Sequence, residues 1–352
     1  MSRLTWVDHA KAFAMFLVVY GHSSSTAWGI GRWIYSFHIP LFFLLSGLLL
    51  RRHRLQEPFR KFLADTVRCL APAYFAFAAI GFLAWLLVLR RFGADSDAHV
   101  LPLYRLLAVF YGTGKPDGFR IEPSVLWFFP CLFSSRLLVY WVYRTARMDS
   151  RRALGISGAL SLVGFALPSA VALPLELDAA LVAQIFVVLG FELHRHDVVE
   201  RIGDASFGWV VALFAVGGFC AFLNGPVDMR VGRYDNVILY CGGSLATSLG
   251  LFLAVHGRAP NKVVEAIARN TIIIFPLHIL VFSMFAALYV FVLHVPLATR
   301  ENAMVGFAAS VANVAILVVM SPLFRKFFPW VYGAGGSRGP ATIAPPVEAA
   351  AR

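Results

Sequence analysis

The sequence predicts an all-α integral membrane protein, a bundle of about ten transmembrane helices with both termini in the cytoplasm. Three observations predict it. Of the 352 residues, 59% are hydrophobic and only 14% are charged, with a mean hydropathy of +0.72; a soluble chain of this length needs more polar surface. Apolar runs of about 17–25 residues, the length at which a helix crosses a bilayer, recur along the chain. Lysine and arginine are shared unevenly between alternate loops, as in polytopic proteins.

The predicted spans are 5–22, 33–50, 70–89, 124–143, 153–171, 178–193, 207–223, 237–256, 271–293 and 303–324. The first carries Asp8, His9 and Lys11 at its start and His22 at its end. Residues 1–27 have the basic start, apolar centre and small-residue run of a secretory signal. Three titratable groups crowd the apolar start, however, so the segment reads as an uncleaved span. At 100° per residue, Lys11 and His22 fall within about 20° of one azimuth and Asp8 and His22 within about 40°. At 1.5 Å per residue, Lys11 and His22 stand about 16 Å apart along the axis, too far to touch. Asp8 and His9 fit interface positions, and Lys11 fits a snorkelling lysine, as well as they fit a reaction path; these alternatives stay open.

The second span reads I-Y-S-F-H-I-P-L-F-F-L-L-S-G-L-L-L, 34–50. Ser46 and Gly47 allow close helix approach. The short 23–32 connection lets His22 and His38 converge, and an ionisable residue facing a bundle interior is a functional candidate. The loop 51–69 is basic, with Arg54, Arg60, Lys61 and Arg68. The third span follows, and then 101–111, which is too short to cross and reads as interfacial or re-entrant. Glu122 precedes the fourth span, with Trp127 near its start, both expected at an external mouth. Arg136, inside that span, needs Asp178, Glu192 or a bound anion as partner. The fifth span and the sixth, a short one, lead to the seventh. N-G-P-V-D-M, 224–229, follows it as a Gly-Pro turn whose Asn224 and Asp228 are candidates for sugar hydroxyls. Beyond the eighth span, the ninth carries F-P-L-H ending at His278, which fits either substrate orientation or a helix–helix hydrogen bond. The tenth closes the membrane domain, 1–332. A Gly/Ala/Pro-rich tail, 333–352, is expected to be disordered and cytoplasmic.

With the N-terminus inside, 20 of the 31 Lys and Arg residues face the cytoplasm and 9 face outward, while Lys11 and Arg136 lie within spans. The net charge of +12 is then explained by basic loops against an anionic leaflet, and no nucleic-acid partner is expected. The four cysteines, Cys69, Cys131, Cys220 and Cys241, show no paired spacing and are expected to be free thiols, with no metal site.

Lys11, ten intervening residues and His22, followed by F-H-I-P-L-F-F-L-L-S-G at 37–47, resemble the membrane acyltransferase-3 family. Within it the chain is most similar to the fucose 4-O-acetylase-like sugar acetylases, through W-V-D-H-A-K (6–11), L-W-F-F-P-C-L-F (126–133), L-D-A-A-L-V-A-Q-I-F-V-V-L-G (177–190), N-G-P-V-D-M (224–229) and T-I-I-I-F-P-L-H (271–278). The resemblance implies acyl transfer from a cytoplasmic acyl-CoA to a hydroxyl of a glycan; the expected donor is acetyl-CoA, the expected acceptor an envelope or secreted glycan, and the expected location a bacterial inner membrane. It carries the family's essential histidine onto His22 and its basic partner onto Lys11. His38 and Asp8 join them as catalytic candidates. Of the R-x-x-R of some relatives, Arg68 fits the second position, whereas Asp65 stands at the first. Arg68, Lys61, Arg60 and Arg54 are the candidates for the coenzyme A phosphates; His278, Glu122, Trp127, Asn224 and Asp228 are those for the acceptor. Transfer of another acyl group, such as succinyl, is the nearest alternative. A polytopic transporter is the other, although the Pro-interrupted segments near 40 and 276 have no matching halves. Oligomeric state is not legible.

Overall fold

The structure, a computed structural model, describes residues 5–23, 28–92, 99–115, 119–203, 207–294 and 302–335. In order the helices are α1 (Thr5–Gly21), α2 (Trp28–Leu48), α3 (Arg52–Gln56), α4 (Phe59–Ala84), α5 (Arg90–Phe92), α6 (Pro102–Tyr111), α7 (Phe128–Thr145), α8 (Ser150–Ala166), α9 (Leu177–Arg195), α10 (Val198–Arg201), α11 (Phe207–Leu223), α12 (Val237–Val255), α13 (Lys262–Arg269), α14 (Thr271–Ala287) and α15 (Ala303–Phe327). Among the described residues there is no β-strand; the one isolated bridge joins Asp228 and Arg233.

A helix occupies each of the ten segments expected to span. Among the described residues, six stretches are long and apolar enough to cross a membrane: Phe59–Phe92, Ser124–Thr145, Pro174–Arg195, Val237–Val255, Thr271–Val292 and Ala303–Phe327; Phe207–Leu223 is apolar but shorter. The third segment starts earlier than the hydropathy suggests, because the basic residues 59–69 wind onto the same helix. The expected interfacial piece is α6, capped at its C-terminus by Gly112 in the left-handed conformation (φ 77°). It buries Arg105 against Glu122 and over the Trp85 ring and leaves Leu103, Leu106 and Phe110 exposed. The expected tail lies outside the described residues from 336 onward, while 329–335 close the described chain as a 3-10 turn.

Small and polar residues weld the bundle, as they must where lipid supplies no hydrophobic drive between helices. Gly47 of α2 and Gly190 of α9 sit against the partner helix so closely that a Cβ on either would overlap a backbone carbonyl, of Val187 or Leu44. Gln184 of α9 donates to the Ser157 carbonyl (2.8 Å) and accepts from its hydroxyl (2.5 Å), clamping α8. The apolar core collects around α1, α2, α7 and α9, with Ala10, Val18, Phe37, Leu41, Phe186 and Val187 fully buried.

Side-chain bonds tie loops together at each end of the bundle. At one end, which holds His22, Arg32 donates to the Asn224 carbonyl, and Lys115 reaches the carbonyls of Ser169 and Val171. At the other, Tyr140 donates to the Glu57 carbonyl (2.8 Å), and Glu192 accepts from Tyr143 (2.5 Å) and Ser150 (2.8 Å).

Candidate active site

His22 follows the last turn of α1. Its backbone N–H still reaches the Val18 carbonyl, and its ring Nδ1 donates to the same oxygen at 2.8 Å. A carbonyl oxygen only accepts, so the proton of the neutral ring sits on Nδ1 and the lone pair is left on Nε2. His38 of α2 repeats the arrangement with the Ile34 carbonyl (2.7 Å), as does His278 of α14 with Phe275 (2.6 Å). His9 makes the same local bond to Thr5 (2.9 Å), so the motif is a general habit of helical histidines. Convergence distinguishes the other three.

The His22 and His278 rings lie 5.0 Å apart, centroid to centroid, at 62°. Tyr35 stands between His22 and the third member, 6.0 Å from His22 and 5.1 Å from His38. His38 and His278 are buried; His22 is half-buried and so is the member open to a substrate. His278 Nε2 has no hydrogen-bond partner although it is fully buried, and an unpaired buried acceptor costs about 1–3 kcal/mol. The His278 carbonyl accepts from Asn313 of α15 (2.9 Å), which fixes α14 against its neighbour. The charges of Asp228 and Arg230 reach His22 and Tyr35 from the loop between α11 and α12.

The structure brings together His22, His38 and His278 and separates the rest. Lys11 lies on α1 three turns below His22. Asp8 is further still, lining a cleft of about 320 Å³ with His9, Asn261 and Glu265 at the opposite end. Arg54 pairs with Glu57 (2.8 Å) and Asp65 (2.6 Å), and Lys61 pairs with Glu57 (3.0 Å). The Lys61 hydrogen bond, ahead of the Arg54 charge, holds the Glu57 carboxyl below its ordinary value. Arg60 is exposed; Arg68 is 71% exposed, 3.5 Å from Asp65, and borders an apolar groove lined also by Phe75 and Trp330.

The four remaining candidates have structural work. Glu122 is gripped by Arg105 (3.2 Å) and Arg120 (3.0 Å). Trp127 is buried in the 3-10 turn before α7, packed against Gly114. Asn224 is buried; it accepts from the Asn236 N–H (2.9 Å) and donates to the Tyr234 carbonyl (3.2 Å). Asp228 caps the turn at Met229, accepting from the Arg230 N–H (3.0 Å). Arg136 meets neither Asp178, which pairs with Lys115, nor Glu192; its contact is the Ser46 hydroxyl at 3.5 Å. Tyr35, Asn313 and Arg230 were not legible as site residues, although Tyr35 stands three residues before His38, on the same helix face. Among the described residues no three His, Cys, Asp or Glu side chains are grouped as metal ligands, and all four cysteines are free.

A family model described as an acyltransferase domain, Acyl_transf_3, matches residues 4–322. The chain belongs to that acyltransferase family. The match covers α1 to α14, most of α15 and all three converging histidines. No curated protein and no solved structure matches the acyltransferase.

Proposed function

We propose that this acyltransferase is an O-acetyltransferase that moves an acetyl group from acetyl-CoA to a sugar hydroxyl of an envelope or secreted glycan, with His22 as general base. Three supports bear on it: membership of the acyltransferase family, the resemblance of five ordered motifs to the fucose 4-O-acetylase-like group, and the histidine cluster. The observation that carries it is His22, half-buried, within 5.0 Å of the buried His278, its lone pair left on Nε2 by the bond to Val18.

In this scheme Nε2 of His22 takes the proton of the acceptor hydroxyl. The resulting oxyanion attacks the thioester carbonyl carbon. The tetrahedral adduct collapses, the C–S bond breaks, and the leaving thiolate recovers the proton from the His22 imidazolium. His278 supports the imidazolium, since its unpartnered Nε2 is an acceptor for a positive neighbour. Lys11 and His38 line the approach of the thioester through the bundle. The basic residues Arg54, Arg60, Lys61 and Arg68 meet the coenzyme's phosphates at the other end. An acetyl-histidine formed on His22 is the competing chemistry.

The test is label transfer in membranes carrying the protein, with radiolabelled acetyl-CoA or succinyl-CoA and the host's own polysaccharide. The expected result is polysaccharide labelled from acetyl-CoA and not from succinyl-CoA, with no protein-bound label when the polysaccharide is left out. Labelled protein under that omission excludes direct transfer. Label from succinyl-CoA alone replaces the donor.

A further inference from the structure

We propose that the acceptor sugar chain is seated in a cleft of mixed lining between the 169–172 segment and the 231–235 segment, at the end of the bundle that holds His22. The proposal rests on the acyl-transfer reading above and assigns the acceptor a site. The cleft encloses about 680 Å³, within the roughly 300–1,000 Å³ of small-molecule sites.

One wall is fixed by Lys115, which is 6% exposed. Its amine pairs with Asp178 (3.0 Å) and donates to the carbonyls of Ser169 (2.8 Å) and Val171. The lysine is therefore engaged in holding the wall and is not offered to a ligand. The facing wall comes from a turn in which Gly232 takes φ 68°, bringing the backbone beside Ser169. Asp235 is also left-handed (φ 57°), and its carboxylate rests on Gly225, where a Cβ would displace it. Asn224 pins the strip by its bonds to Tyr234 and Asn236. The N-G-P start of the 224–229 motif thus shapes this wall.

The wall presents exposed Arg233 and Asp235 on either side of Tyr234. Arg233 offers only donors and the Asp235 carboxylate only acceptors, while the Tyr234 ring is buried against Phe165 and Tyr240 and anchors the strip between them. That set suits a ligand bearing hydroxyls on neighbouring carbons, each hydroxyl both donor and acceptor. The same short hairpin joins the cleft to the histidines. It is closed by Asp228 N–H to the Arg233 carbonyl (2.9 Å) and the reverse bond (3.0 Å). Its other residues, Asp228 and Arg230, project their charges onto His22, and Arg230 donates to the Gly114 carbonyl (3.0 Å), beside Lys115. A chain lying in the cleft crosses this hairpin to present a hydroxyl at His22.

The experiment compares wild type, Arg233→Ala/Asp235→Ala and Gly225→Ala, all in detergent and checked for the same elution profile. Fluorescently labelled short oligosaccharides, released from the host's own envelope polysaccharide, are titrated by polarisation, and acetyl transfer to them is measured in parallel. Loss of the two side chains weakens binding about tenfold, the size of one or two hydrogen bonds. Gly225→Ala, which moves only the carboxylate, weakens it less. Acceptor KM rises in step. Equal binding by all three proteins overturns the cleft, whether or not transfer is seen. Weakened binding without transfer by wild type keeps the cleft and removes the acetyl-transfer reading.

Discussion

Lys115→Met is expected to destabilise the protein by about 3–5 kcal/mol, the cost of leaving a buried ion without its partner. Lys115 and Asp178 are both buried, 8% and 7% exposed at their side chains, and 3.0 Å apart. Without the lysine, the Asp178 carboxylate keeps the Leu173 N–H at 3.2 Å, and the Ser169 and Val171 carbonyls lose a charged donor. Methionine fills the volume, so the loss is electrostatic and not a cavity. Asp178→Asn is milder, about 1–3 kcal/mol, because the amide oxygen still accepts from Leu173 and the lysine keeps its two carbonyls. The double variant Lys115→Met/Asp178→Leu removes both charges and costs less than the two single changes added together. Unfolding by denaturant in detergent micelles at neutral pH reads all three. A Lys115→Met protein within about 0.5 kcal/mol of wild type, the scatter of ordinary surface changes, refutes the reasoning.

Other expectations follow from single contacts. Gly190→Leu drives a side chain into the Leu44 carbonyl and forces α2 from α9; a loss of folded yield is expected in a fluorescence-detected elution assay, and a normal yield contradicts the close approach. Arg68→Ala should raise the acetyl-CoA KM several-fold at unchanged protein level, and unchanged kinetics reject its phosphate contact. The Glu57 carboxyl is held below its ordinary value of 4.5, first by the Lys61 hydrogen bond. Its stabilisation is complete above that ordinary value and is lost as pH falls through the lowered one. Thermal melts from neutral to acid pH should therefore lose this part of the acid dependence in Glu57→Gln, by a small amount because the pair is exposed to solvent screening.

The fold was legible where local chemistry writes it. Apolar length announces the helices, and Ser46-Gly47 announces the close packing that Gly47 makes against Val187 of α9. Boundaries were less legible, since α4 carries charged turns that hydropathy excludes. The candidate site was legible in part. The Lys11–His22 spacing and His38 before Pro40 stand within one or two helices, and the short connection between them forecasts convergence. His278 joins them only through the packing of α14, some 250 residues along the chain, a long-range fact that no local pattern encodes. The same limit explains Glu122, Trp127 and Asn224. The neighbours that engage them, Arg105, Gly114 and Asn236, come from other segments and could not be read from local pattern. Arg136 is similar: both acidic partners expected for it are taken by closer groups, Lys115 and the Tyr143–Ser150 pair.

The most direct measurement is acetyl transfer to the host glycan by wild type and His22→Ala at matched expression in the same membranes. The account predicts that transfer survives in wild type and falls by about 10²–10⁴-fold in the variant, the range of general-base contributions. Equal transfer by both proteins would contradict it and remove His22 from the chemistry.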